Sequence, residues 1–209
     1  MRGPLDRLFP NIPHAARVAL DWALTIVVAV LVVLGVKAWI VNPYRIPSPS
    51  METTLHCARP ETYCEGSTSD RVLANRFIYH FRDPRRGEIV VFHSPPAAAR
   101  KCREGGVFVK RIIGLPGERW SERNGFTYIN GRRLSEPYVR PSHRGHETKT
   151  LADIPPRGTM RRIPRDMYLM EGDNRIHSCD SRLWGLVPRG SLIGKAFLIY
   201  WPLSRIGVP

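Results

Sequence analysis

From residue 18 to residue 41 the chain reads VALDWALTIVVAVLVVLGVKAWIV, an apolar run that only Asp21 and Lys37 interrupt. No other feature limits the fold so strongly, because about 20 apolar residues with charges confined near the ends match the hydrocarbon core of a bilayer. Residues 24–36 carry no charge. Apolar side chains occupy every side of the run, whereas a helix packed on a soluble core shows a single stripe. A cleaved signal peptide is the other reading, but its apolar region would be shorter and would be followed by small residues of the Ala-x-Ala kind. Here Val41, Asn42, Pro43, Tyr44 and Arg45 follow instead. The segment therefore reads as an uncleaved membrane anchor.

Orientation follows from the short flank, since positive charge near a span stays on the cytoplasmic side. Arg2, Arg7 and Arg17 stand there against Asp6. Residues 1–17 are thus expected in the cytoplasm and residues 42–209 outside it, with Trp22 and Trp39 at the two interfaces. The remainder, about 165 residues, suits one domain. Apolar runs at 86–92 (RGEIVVF), 107–113 (VFVKRII) and 195–201 (KAFLIYW) read as core strands. Asn124-Gly125 and Asn130-Gly131 separate short strand candidates at 118–123, 126–129 and 132–134, the pattern of successive hairpins. The polar, Arg/Pro-rich stretch at about 119–166 reads as an excursion, with 141–150 a mobile loop.

A net charge of +14 favours an anionic partner, either nucleic acid or an anionic lipid surface. The basic residues are dispersed from Arg59 to Arg205, and no zinc-finger, basic-zipper or RNA-recognition signature is present. Together with the expected topology, this points to the bilayer and away from nucleic acid. An even number of cysteines in an exported domain permits two disulfides among Cys57, Cys64, Cys102 and Cys179. Sequence leaves all three connectivities open; local pairing of Cys57 with Cys64, leaving Cys102 with Cys179, is the first choice. Four free thiols are the plain alternative. No CxxC pair occurs and the spacings match no structural zinc pattern, so no metal is expected.

Beyond the anchor, prolines in NPYRIPSPSM forbid a continuing helix. Ser50 taken alone reads as a linker residue, and Lys110 as a lysine on the outward face of a strand. Five blocks change that reading: IPSPSMETTL at 46–55, DRVLANRFIY at 70–79, RGEIVVF, FVKRIIGLPGE at 108–118 and GDNRIHSCDSRLWG at 172–185. In this order, behind a single N-terminal anchor, they resemble the bacterial type I signal peptidases, or leader peptidases, over most of the chain.

The resemblance implies a mostly β catalytic domain of coiled antiparallel, barrel-like sheets behind one transmembrane helix. It implies a serine endopeptidase that removes signal peptides from exported preproteins, with Ser50 as nucleophile and Lys110 as general base. A serine hydroxyl is a weak nucleophile until a neighbouring base takes its proton, and a lysine can do so only when neutral. The apolar neighbours Val107, Phe108, Val109, Ile112 and Ile113 are expected to bury Lys110 and lower its pKa.

By the same resemblance, the Ser50 N–H and the Ser48 hydroxyl form the oxyanion hole, Ser178 orients the lysine, and Asp180 and Arg182 form a supporting ion pair. Ile46, Pro47, Met51, Leu55, Phe108 and Val109 match positions lining shallow apolar pockets for small side chains, so Ala-x-Ala ends should fit. These residues equally suit an ordinary core. Asp173 as a triad acid would need a histidine partner, and His177 beside Ser178 makes no compelling one. The dyad implies no cofactor.

Pro49 stands where the family usually has glycine, and Thr53 where it often has proline. The segment 56–69, with Cys57 and Cys64, is longer than the family's usual connection. An inactive scaffold that keeps the fold is the alternative function; joint retention of Ser48, Ser50, Lys110 and Ser178 argues for the enzyme. Neither substrate identity nor oligomeric state is legible.

Overall fold

An apolar run without an internal breaker can satisfy its own backbone away from water only as a helix. In this computed structural model, which describes residues 13–39, 41–145 and 160–209, residues 18–39 of that run lie in helix α1, His14–Trp39, and Val41 already belongs to the strand that follows. Its stretch His14–Gly35, 22 residues long, is nowhere buried by protein. At 1.5 Å per residue such a length covers about 33 Å, enough to cross the apolar core of a membrane. α1 begins ahead of the expected residue 18, and Trp22 is exposed. Most of the expected flank 1–17 and the Trp39 side chain lie outside the described residues. The chain divides into one unit at Met1–Val41 and a second at Asn42–Pro209.

The second unit is built from strands, beginning with β1 (Val41–Arg45), β2 (Arg71–Asn75), β3 (Ile89–His93) and β4 (Val107–Gly114). There follow β5 (Arg119–Arg123), β6 (Phe126–Ile129), β7 (Arg132–Arg133) and β8 (Arg161–Arg162). The last are β9 (Met167–Glu171), β10 (Val187–Pro188) and β11 (Leu192–Trp201). Short helices α2 (Ile78–Phe81), α3 (Pro96–Cys102) and α4 (Ser181–Trp184) complete it.

One sheet runs β1-β2-β11-β3-β4-β9-β10 and the other β7-β6-β5-β8. Pairings from β2 through to β10, and throughout the smaller sheet, are antiparallel. Both orders are open. No closed barrel is found among the described residues, so the expectation of a barrel-like domain goes no further than mostly β with antiparallel sheets.

Strand position follows composition. Pro43 cannot donate to a ladder, and β1, which contains it, lies at a sheet edge. β3 and β4 are central; the β3 run is buried on both faces, Ile89 packing with Leu55 and Met51 and Val90 and Phe92 with Ile112, Met170 and Trp184, whereas β4 is buried only from Lys110 onward. β3 starts at Ile89, because Gly87, at φ +85°, turns the chain just before it. Asn124, Gly125, Asn130 and Gly131 all have positive φ, the geometry that two-residue hairpin turns demand. The smaller sheet lies within the polar stretch expected as an excursion. Of the expected loop at 141–150, Pro141–His143 forms a 3-10 turn and 146–150 lie outside the described residues.

Cysteines pair as Cys57–Cys64 and Cys102–Cys179. The second bond ties the end of α3 to the segment before α4 across a separation of 77 residues. By loop-closure entropy, removing it through paired Cys102→Ala and Cys179→Ala substitutions is expected to cost about 4 kcal/mol. A thermal midpoint equal to that of the wild type would contradict this.

Candidate active site

Pro49 opens a 3-10 turn, Pro49–Met51, and the turn presents Ser50 between the β1 edge and the central strands. Two bonds from Asn174 hold it there: its backbone N–H donates to the Ser50 carbonyl at 3.1 Å, and its side-chain amide donates to the Pro49 carbonyl at 3.1 Å. Gly172 lies so close that a Cβ on it would stand 2.3 Å from the Ser50 carbonyl oxygen and 2.3 Å from Ser178 Oγ. Only a residue without a side chain fits this approach.

Lys110 comes from β4, opposite Val90 of β3. Its Nζ donates to Ser50 Oγ at 2.7 Å, and the Ser48 hydroxyl lies 3.2 Å from the same oxygen. Ser50 is 6% exposed and Lys110 4%, so the amine does not occupy the solvated outward face that isolated strand periodicity would suggest. Burial lowers the Lys110 pKa from its usual value to about 8; negative charge on Asp180, Glu104 and Asp173 opposes the shift, and Arg182 adds to it. A buried amine with its pKa lowered this far has a neutral fraction at moderate pH that grows as pH rises, and in hydrogen-bond contact with a hydroxyl that neutral form can accept the hydroxyl's proton.

A cleft of about 590 Å³ opens beside this pair. Ile46, Pro47, Met51, Phe108 and Val109 line it together with Ser48, Ser50 and Lys110. Leu55 does not: it is fully buried in the core with Met51, Cys57 and Ile89. Of the six expected pocket residues it alone does not line the cleft, while Ile46 and Met51 line it and also belong to that core.

Asp180 and Arg182 form a buried ion pair, with the Arg182 Nε and Nη2 each 2.8 Å from a carboxylate oxygen. Burial works against the Asp180 charge, but Arg182 and the Gly172 N–H outweigh it and hold the carboxyl below its usual range. Ser178 is buried nearby, but its hydroxyl faces Asp180, whose negative charge it helps to hold, and the expected bond to the lysine is not formed in this structure. Asp173 is fully committed elsewhere: Arg111 donates to both its oxygens, at 2.8 and 2.5 Å, and Thr54 donates at 2.6 Å. His177 stacks on Tyr63 at 3.5 Å between centroids and takes no part in a triad.

The model of the signal peptidase family, peptidase S26, matches residues 19–201. This chain belongs to that family. A probable signal peptidase I-2 of Synechocystis is 37% identical over 90% of this chain and 76% of its own length. Signal peptidase I of Leptolyngbya laminosa is 35% identical over 93% and 86%, and signal peptidase IB of Staphylococcus aureus 31% over 89% and 91%. A solved signal peptidase I from Enterococcus faecalis V583 aligns at 35% identity with a TM-score of 0.42, covering 55% of this chain and 97% of that one. As a signal peptidase family member the chain is a serine endopeptidase, a hydrolase.

Several residues around this peptidase site were not singled out by sequence reasoning. Asn174 and Gly172 sit in a block whose presence was noted, but nothing in its spacing says that it grips the Ser50 turn. Glu52 is another: buried, it accepts from the N–H groups of Cys57 at 2.9 Å and Glu65 at 3.1 Å and contacts the His56 ring, fastening the disulfide loop beside the nucleophile. An acid next to Met51 in an otherwise uncharged stretch was the available signal.

Proposed function

We propose that this chain removes signal peptides from exported preproteins, cutting after small residues of the Ala-x-Ala type, with Ser50 as nucleophile and Lys110 as general base. The observation that carries the reading is the buried 2.7 Å contact between Lys110 Nζ and Ser50 Oγ. In the first step the hydroxyl proton passes to the neutral amine while Oγ adds to the scissile carbonyl. The Ser48 hydroxyl and the Ser50 N–H stabilise the resulting oxyanion, an arrangement in which one lost donor typically costs about 100 to 1,000-fold in rate. The Lys110 ammonium then returns its proton to the departing amine, leaving the signal peptide as an ester on Ser50. Water, deprotonated by Lys110, releases it and restores the hydroxyl.

In this reading the apolar walls formed by Ile46, Phe108 and Val109 set the preference for small apolar side chains. Each extra methylene in such a pocket discriminates by only about 1 to 3 kcal/mol, so fidelity also draws on membrane placement of the substrate. α1 supplies that placement, with residues 42–209 outside the cytoplasm and next to an anionic bilayer surface. A cut-site determination by mass spectrometry on a preprotein with one Ala-x-Ala end tests the specificity; cleavage within the mature sequence instead would refute it.

The base must be neutral to work, and its neutral fraction grows as pH rises through its pKa. kcat/KM is therefore expected to increase with pH and level off above about 8. A profile already flat from pH 5 to pH 9 would exclude Lys110 as the titrating base.

A further inference from the structure

The chain has 32 Lys and Arg against 18 Asp and Glu, so each carboxylate competes for by many cations. Most are taken in residues 42–209, as in Asp70 with Arg205, Glu118 with Arg86 and Asp173 with Arg111. Among the described residues of this unit, Glu61, Glu104 and Asp166 are left with no ion pair and no side-chain hydrogen bond. Two of these three, Glu61 and Glu104, line the cleft that holds Ser50 and Lys110. Both are exposed to solvent.

Neither carboxylate is placed loosely. Glu61 lies inside the loop closed by Cys57–Cys64, and Tyr63 of that loop stacks on His177. Glu104 follows Cys102, whose disulfide to Cys179 anchors the loop before β4. The remaining charged residues lining the cleft are Arg45 and Lys110. Arg45 forms no ion pair with either acid, and Lys110 is neutral when it acts as a base. The working cleft therefore carries two fixed negative charges against one positive, in a protein whose overall sign is the reverse.

We infer that Glu61 and Glu104 are specificity-determining residues, favouring substrates with a lysine or arginine side chain within a few residues of the cut and disfavouring acidic side chains there. This rests on the reading of the cleft as the peptide-binding site. A cationic side chain entering the cleft meets carboxylates that no described cation of the protein holds in a direct ion pair, and an acidic one meets like charge. Because both acids are exposed, the selection is modest and sensitive to salt.

The test uses the full-length protein in detergent with a series of preproteins that share one Ala-x-Ala end. They differ by a single Lys, Gln or Glu, placed in turn from the fifth residue before the cut to the third after it. At one or more positions the lysine substrate is expected to exceed the glutamate one in kcat/KM by about fivefold at low salt, the scale of an exposed charge pair. That ratio should fall towards one at about 0.5 M salt and in the Glu61→Gln/Glu104→Gln double variant. Each ratio is taken on a single enzyme preparation, so a misfolded fraction cancels. A ratio near one at every position, or an undiminished ratio in the double variant, overturns the inference while leaving the peptidase reading intact. A wild type inert on the whole series, the Gln members included, overturns that reading itself.

Discussion

Ser50→Ala is expected to cut an Ala-x-Ala preprotein at least about ten-thousand-fold more slowly than the wild type, and Lys110→Ala to be impaired to a similar degree, because members of a catalytic unit fail together. The geometry gives the reason. Ser50 Oγ has the Lys110 amine at 2.7 Å and the Ser48 hydroxyl at 3.2 Å, and among the described residues no histidine hydrogen-bonds to it. Removing Oγ leaves the lysine with nothing to deprotonate, and removing the amine leaves an unactivated hydroxyl. The double variant is expected to be no worse than either single one. The Lys110→Ala change also takes a buried, desolvated amine out of the core, so its thermal midpoint should not fall below that of Ser50→Ala by much; the loss is chemical. Residual cleavage by Ser50→Ala above a few per cent would show that another residue is the nucleophile. A wild type inactive on several such substrates would turn the assignment towards a scaffold that has kept the fold.

The second large effect is on stability. Asp180 is fully buried and accepts from the Gly172 N–H at 3.0 Å as well as from Arg182. Asp180→Ala removes from the Arg182 guanidinium, itself 2% exposed, the carboxylate that it bonds through Nε and Nη2. Breaking a buried pair from one side typically costs about 3 to 5 kcal/mol. For a chain of this size that lowers the thermal midpoint by about 10 °C. Activity should fall with it, since Gly172 abuts the Ser50 carbonyl and Ser178. Asp180→Asn separates charge from shape: it removes a negative charge that raises the Lys110 pKa, so the acid limb of the rate profile should move to lower pH. An Asp180→Ala protein as stable as the wild type would mean that the pair contributes no net stability.

The site was legible in unequal parts. Ser50 and Lys110 stand in separate blocks that resemble a known family, and the structure brings them into contact although 60 residues separate them. Ile46, Pro47, Met51, Phe108 and Val109 were named as pocket walls and do line the cleft, whereas Leu55 is interior. An apolar residue carries the same sequence signal in either place. The resemblance assigns Ser178 to orienting the lysine, but its hydroxyl faces Asp180 and forms no bond with the Lys110 amine here. Side-chain rotation at that level leaves no trace in sequence.

The linear order of residues determined the membrane-spanning length of α1, the hairpin turns at Asn-Gly pairs and the edge position of a Pro-containing strand. These depend on local forces: backbone satisfaction in lipid, positive φ, and a missing N–H. Tertiary structure alone decided the rest. Whether Lys110 is buried or solvated turns on the strands and the nucleophile turn that cover it, and its pKa follows from that burial. The grip of Asn174 on the Ser50 turn, and the placement of two unpaired carboxylates in one cleft, likewise arise from residues far apart in the chain. Desolvation and charge act through space, and no sequence spacing records them until the chain has folded.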